Sequence, residues 1–68
     1  MRFKKLFPLI VNTKIEVQTR DGETMLNGDP AAMTWDSIEE IKNREILEIV
    51  ACTNKDEEAV MLVTVENE

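Results

Sequence analysis

Two adjacent segments near the end of the chain constrain the fold most, because each has apolar residues on both of its alternating faces. Residues 45–53 and 58–66 are rich in Ile, Leu, Val and Ala, and the polar stretch 54–57 separates them. This pattern predicts two strands joined in an antiparallel hairpin. A hairpin that is apolar on both faces needs a cover on each face.

The register of this hairpin follows if Thr53 pairs with Glu58. One face then has three facing pairs: Val50 with Met61, Glu48 with Val63, and Ile46 with Val65. The other face sets Leu47, Ile49 and Ala51 against Thr64, Leu62 and Val60. A slip of one residue changes the partners, but both faces remain mostly apolar.

The rest of the chain supplies little material for covering the second face. With 68 residues, the chain is expected to form a single small domain, residues 1–68, with a core one layer deep. We therefore expect a homodimer or a tighter oligomer, in which a second copy covers the remaining apolar face. The alternative is a monomer that wraps around its own hairpin.

An N-terminal helix is expected to cover one face. Phe3, Leu6, Phe7, Ile10 and Val11 follow the spacing of a single helical face. Pro8 is tolerated if the helix starts near Lys5, since Pro8 then lies in the first turn. The predicted helix ends near Val11.

The next segment predicts a second hairpin. Residues 14–20 alternate between apolar and polar side chains, and Asp21-Gly22 is the pair preferred in two-residue type I′ turns. This turn places Arg20 opposite Glu23, Thr19 opposite Thr24 and Val17 opposite Leu26, so that opposite charges meet and apolar residues meet. Pro30 then ends the strand region.

A short helix is predicted between the hairpins. Asp36 is the expected N-cap, with Glu39 completing a capping box, and Asn43 ends the helix. Trp35 is then the apolar staple at its start. The predicted fold class is α+β, with about four antiparallel strands in two hairpins and elements in the order helix-strand-strand-helix-strand-strand.

Composition excludes several kinds of active site. The chain has no His, no Tyr and a single Cys, which removes Ser-His and Cys-His nucleophilic pairs and zinc sites of the Cys/His type. It also lacks a phosphate loop, a dinucleotide fingerprint and a nucleophile elbow. We therefore expect no enzymatic activity, no cofactor, and no catalytic or metal-binding residue. Clustered acids at 36–40 are interpreted as a capped, solvated helix start.

The charge distribution bears on the partners. The net charge is -6, and it comes from the second half of the chain, where residues 36–68 hold ten acids and three bases. Without a basic stripe, direct binding to nucleic acid or to an anionic membrane is not expected. No targeting signal or membrane span is evident, and the lone Cys52 suits a reducing compartment. The predicted location is the cytoplasm.

Five residues are candidates for an interface: Trp35, Glu48, Val50, Met61 and Val63. Glu48 stands out because it interrupts an apolar strand face, where an unpaired carboxylate is costly. It is interpreted as an acid of raised pKa, as an anion that binds a partner, as a charge that guards an edge strand, or as a side chain that reaches solvent at the rim. Cys52 is expected to be a small buried apolar residue.

The layout has a resemblance that implies a biological setting. Residues 12–17, the Asp21-Gly22 turn, and Asn43-Arg44-Glu45-Ile46 leading into the long final hairpin resemble small proteins encoded by phages and integrated mobile elements of Gram-positive gut bacteria. This group implies a cytoplasmic accessory protein and assigns no activity or site residue.

Two classes of function agree with these observations. One is a small protein-interaction or accessory protein that forms homo-oligomers and docks on another phage or host protein through the apolar hairpin face. The other is an acidic inhibitor that mimics nucleic acid and occupies the site of a host defence or repair protein. Salt separates the two, because binding by charge mimicry weakens steeply with salt and apolar docking does not.

Overall fold

The backbone forms one four-stranded sheet with short helical segments on one side. A computed structural model describes residues 1–68. The strands are β1 (Lys14–Thr19), β2 (Thr24–Gly28), β3 (Ile46–Thr53) and β4 (Ala59–Val65). The helical segments are α1 (Phe3–Leu6) and three 3-10 segments, Phe7–Leu9, Pro30–Ala32 and Trp35–Ile38.

The strand order is β2-β1-β4-β3, and the central pair, β1 and β4, is parallel. The α+β class with a short N-terminal helix is confirmed. The prediction that all strands are antiparallel is wrong, because the two hairpins join through β1 and β4, which run in the same direction. The 29–45 connection makes this possible, since it carries the chain from one edge of the sheet to the other.

The first hairpin has a longer turn than predicted. Val17 pairs with Leu26 as expected, but a bulge then places Gln18, and not Thr19, opposite Thr24. The Gly22 N–H donates to the Thr19 carbonyl, and the Thr19 N–H donates to the Glu23 carbonyl, both at 2.9 Å. The loop therefore has three residues and not the two of a type I′ turn, with Gly22 at a φ of 89°.

The second hairpin is shifted by one residue from the prediction. Thr53 pairs with Ala59, Val50 with Leu62 and Glu48 with Thr64. A bulge between Ile46 and Glu48 takes up the shift, so Ile46 pairs with Val65 as predicted. The predicted pairs of Val50 with Met61 and of Glu48 with Val63 are wrong.

Both helical predictions need correction: the first in where the helix starts, the second in the type of helix and in its N-cap. The N-terminal segment begins at Phe3, before Lys5, and becomes a 3-10 segment at Phe7, with Pro8 in its first turn. The segment between the hairpins is a 3-10 turn that starts after Thr34, not a helix capped by Asp36. The Ser37 hydroxyl accepts a hydrogen bond from the Thr34 N–H at 3.1 Å. The capping interaction is therefore between Thr34 and Ser37, and not between Asp36 and Glu39 as predicted.

The core lies on one face of the sheet, called here the covered face. It is built from buried side chains of the N-terminal segment, the 38–41 region and the two central strands: Phe3, Phe7, Ile10, Ile15, Val17, Ile38, Ile41, Val63 and Val65. The Phe3 and Phe7 rings pack with centroids 5.9 Å apart. The opposite face, called the open face, has no helix over it. None of the helices has the length and apolar character needed to cross a membrane.

Candidate interaction surface

β3 lies at one edge of the sheet and is exposed along nearly its whole length. Every residue after Ile46 in this strand is exposed. Three large apolar side chains remain in contact with solvent: Leu47 is 42% exposed, Ile49 45% and Val50 39%. The edge strand of a sheet normally carries charges or proline, and β3 has neither apart from Glu48.

The backbone of β3 has unpaired groups on its outer side. The Asn54 N–H donates to the Glu58 carbonyl at 3.0 Å, which fixes the phase of the antiparallel ladder with β4. Because hydrogen-bonded and non-hydrogen-bonded pairs alternate, Glu48, Val50 and Cys52 direct their backbone groups toward β4. Ile49 and Ala51 therefore direct theirs outward, away from the sheet.

The N-terminus covers only the beginning of this edge. The Ile46 N–H donates to the Met1 carbonyl at 2.8 Å, and Arg2 forms a single bridge with Glu45. The N-terminal amine also lies 3.1 Å from a Glu45 carboxylate oxygen. The free stretch, called here the β3 edge, therefore consists of residues 47–53.

The other edge of the sheet is blunted. β2 has five residues, is interrupted by a bulge, and ends at Gly28 before Pro30. A short, bulged strand that ends before a proline presents few groups to an incoming strand. The two edges thus differ, and only the β3 edge is long and apolar.

The open face next to β3 is apolar in one half and polar in the other. Val50 and Cys52 of β3 lie beside Leu62 and Val60 of β4. Farther across, β1 contributes Lys14, Glu16 and Gln18, and Gln18 donates a hydrogen bond to the Thr64 hydroxyl at 3.1 Å. The apolar half of the open face is therefore continuous with the β3 edge.

The five predicted interface residues do not form one surface. Glu48 and Val50 lie on the open face of β3, whereas Val63 is fully buried on the covered face and Met61 packs against the core. Trp35 is 56% exposed and packs against Phe7 in the helical layer, with ring centroids 5.7 Å apart. The structure thus brings together only Glu48 and Val50.

The structure corrects two predictions about side chains in β3, both of which concern burial. Glu48 is exposed and faces Thr64, so no cost of burying its charge arises. Cys52 is exposed, and the prediction that it is buried is wrong. The sequence interpretation missed Leu47, Ile49 and Ala51 as surface residues, although their strand was identified, because only the register and strand order show that they lie at an edge.

Two ion pairs link the two hairpins, Lys14 with Glu58 and Arg20 with Glu66. Lys14 at the start of β1 and Glu58, just before β4, lie 2.8 Å apart between the Nζ and Oε1 atoms. The hydrogen bond from Lys14 lowers the pKa of the Glu58 carboxyl, and a hydrogen bond from Asn54 adds to this effect. The same contact raises the pKa of Lys14. The pair stabilises the junction between β1 and β4 and lies outside the β3 edge.

Comparisons of the chain with protein-family models, curated protein sequences and solved structures find no match. No three carboxylate or thiol groups lie close enough together to hold a metal ion. The feature of this surface with the clearest chemical meaning is the β3 edge, with its unpaired backbone groups and exposed apolar side chains.

Proposed function

We propose that this chain is a small protein-interaction module that works through the β3 edge and the adjoining apolar half of the open face. The observation that carries the proposal is an eight-residue edge strand that is exposed after its first residue and whose free stretch has one charge. An edge of this kind is a template for a further strand, because its outward N–H and C=O groups lack partners.

The side chains on this edge can contribute to affinity. Leu47, Ile49 and Val50 are each about two-fifths exposed. Full burial of such a side chain is worth about 1.5–3 kcal/mol, so covering the exposed part contributes about 1 kcal/mol for each residue. Main-chain pairing then fixes the orientation of the partner, and these side chains supply the apolar contact.

The alternative, an acidic inhibitor that mimics nucleic acid, receives less support from the placement of the charges. Glu39, Glu58 and Glu66 are each paired with a basic side chain. Other acids lie in the hairpin turns, such as Asp56 and Glu57. The open face combines Lys14 with Glu16 and Glu48, so it does not present a row of free carboxylates. The mobile-element setting that the resemblance implies stays a prediction.

Two matched variants test the proposed function. Val50→Thr and Val11→Thr make the same change at exposed valines, one on the β3 edge and one at the end of the N-terminal segment. Tagged proteins are used to capture partners from a nuclease-treated lysate of a Gram-positive bacterium, with low-salt and high-salt washes. We expect Val50→Thr to reduce capture of a salt-resistant partner about fivefold, which corresponds to about 1 kcal/mol, and Val11→Thr to leave it unchanged.

Undiminished capture of the same salt-resistant partner by both variants contradicts a role for the β3 edge in binding that partner. Release of the partner at high salt, together with competition by DNA, supports the acidic inhibitor instead. Both variants are compared with the unsubstituted chain by circular dichroism, so that loss of capture is not confused with loss of fold.

A further inference from the structure

We infer that the β3 edge pairs with the β3 edge of a second copy of this chain, antiparallel and about a two-fold axis at Val50, to form a continuous eight-stranded sheet from the two four-stranded sheets. This inference rests on the proposed function and names its partner. Three observations support it: the length of the free edge, the residues whose backbone N–H and C=O groups point outward, and the position of the charged residue.

The length of the free edge fixes the axis. The N-terminal segment occupies the edge up to Ile46, and the turn of the second hairpin begins after Thr53. The free stretch 47–53 has Val50 at its midpoint. A two-fold antiparallel pair that uses the whole stretch therefore sets Val50 opposite Val50 of the second copy.

The phase of the backbone agrees with this axis. Ile49 and Ala51 direct their N–H and C=O groups outward, because Val50 and Cys52 use theirs toward β4. With the axis at Val50, Ile49 faces Ala51 of the second copy, and both residues have outward groups. Each copy thus pairs its free donors and acceptors with those of the other, and Val50 forms a non-hydrogen-bonded pair on the axis.

The charges also fit this arrangement. Glu48 is the one charged residue within the free stretch. The axis places it opposite Cys52 of the second copy. Each Glu48 lies two residues from the axis, so the two Glu48 residues are four residues apart along the strands and their carboxylates do not meet. An axis at residue 48 would instead set the two Glu48 carboxylates directly opposite each other, so the charge favours the axis at Val50 over that shifted register.

The same pairing covers the exposed apolar residues on both faces. Val50 meets its counterpart on the open face, next to Leu62. Ile49 meets Ala51 of the second copy on the side of the covered face, where Ile49 pairs with the buried Val63. A second copy therefore covers Ile49 and Val50, two of the large apolar residues that the β3 edge of a single chain leaves exposed.

Single-cysteine variants of the full chain test the axis. In an antiparallel non-hydrogen-bonded pair the Cα atoms are about 4.5 Å apart, a distance that a disulfide spans. Val50→Cys combined with Cys52→Ser is therefore expected to form a covalent dimer under mild oxidation. The native Cys52 lies two residues from the axis, about 13 Å from its counterpart along the strand, and is expected to cross-link at least about tenfold more slowly. Val11→Cys with Cys52→Ser is the exposed control, with Val11 71% exposed.

Light scattering of the unsubstituted chain gives the second measurement, and we expect a mass of twice the 7.8 kDa of one chain. Fast cross-linking at position 50 alone, together with this mass, supports the inference. Equal rates at positions 50 and 11, faster cross-linking at Cys52 than at position 50, or a monomeric mass at micromolar concentration overturns it. If the chain is monomeric and still captures a lysate protein in a way that depends on Val50, the proposed function stands and the partner is another protein.

Discussion

Two hairpin loops in this chain share one backbone hydrogen-bond pattern, but they have different residues at the position with a positive φ. In residues 19–23 and in residues 54–58, the first residue donates its N–H to the carbonyl of the fifth and accepts from the N–H of the fourth. The fourth residue has a positive φ in both loops, 89° at Gly22 and 61° at Glu57. Glycine adopts this conformation freely, whereas a residue with a side chain is strained there.

Glu57→Gly is therefore expected to stabilise the fold. A left-handed conformation costs an L-residue about 1–2 kcal/mol, and the greater freedom of glycine in the unfolded chain offsets about half of that gain. We expect the free energy of unfolding in urea to rise by about 0.5–1 kcal/mol. Glu57→Ala is the matched control, since it removes the charge and keeps the Cβ atom. A rise of the same size in Glu57→Ala assigns the effect to charge and contradicts the argument from strain.

These loops show what the sequence could indicate at the level of single residues. The Asp21-Gly22 pair located the first turn, because few other pairs favour a positive φ. It did not give the loop length, since a glycine suits both the two-residue and the three-residue turn. The second loop contains no glycine, so its positive φ could not be foreseen, and the one-residue error in the register of the second hairpin follows from that.

At the scale of elements, the N-terminal segment depends on its tertiary contacts. α1 has four residues, too few to be stable alone. Its first free N–H groups, from Phe3 and Lys4, donate to the Arg44 and Lys42 carbonyls at 3.0 and 2.9 Å. The Phe3 side chain is fully buried. The segment is thus held by one aromatic anchor and by backbone bonds to the chain just before β3.

Phe3→Ala is expected to unfold the protein at room temperature. Removing a buried Phe side chain costs about 3–5 kcal/mol, and a single core in a chain this short supplies about that much net stability. Leu9→Ala in the adjoining 3-10 segment is the control, because Leu9 is 70% exposed and surface changes stay within about 0.5 kcal/mol. Thermal unfolding followed by circular dichroism checks both. A cooperative transition in Phe3→Ala near that of the unsubstituted chain contradicts the assigned anchor.

The periodicity of the sequence identified the buried positions of this segment better than its ends. Phe3, Phe7 and Ile10 are buried as their spacing predicts, while Val11 is 71% exposed. The chain turns immediately afterwards, at Asn12, where φ is 58°. The start of the helix was misplaced because the acceptors for its N–H groups lie about 40 residues away, and such partners leave no local pattern.

At the scale of the whole molecule, the arrangement of the two hairpins is the feature that the sequence did not indicate. Each hairpin follows from local alternation and turn residues. Which strands meet depends on the path of the 29–45 connection, and the pairs between β1 and β4 are about 46 residues apart. An antiparallel or a parallel junction satisfies the same apolar pattern. The proposed interface could not be predicted for the same reason, because it is the junction between β1 and β4 that leaves β3 at an edge of the sheet.

The ion pair between Lys14 and Glu58 offers a test of that junction through its pH dependence. The pKa of Glu58 is lowered in the folded protein, so its contribution to stability is present above the pKa of the unfolded chain and is lost as the pH falls through the lowered value. The pKa of Lys14 is raised, so its contribution is present below the unfolded value and is lost as the pH rises through the raised value. The contribution of the pair is therefore largest between these limits.

Glu58→Gln is expected to reduce the free energy of unfolding at neutral pH and to have no effect once the pH lies below the lowered pKa of Glu58. Glu23→Gln is the matched control, since Glu23 has the equivalent position in the first loop and forms no ion pair. Urea unfolding across the acidic range measures both variants against the unsubstituted chain. A pH-dependent effect of Glu58→Gln that is smaller in a Lys14→Gln background than in the unsubstituted one places Lys14 and Glu58 in contact, which requires β1 and β4 to be neighbours; the Asn54 hydrogen bond to Glu58 is the same in both backgrounds. The same pH profile in both variants assigns the effect to net charge and contradicts the contact.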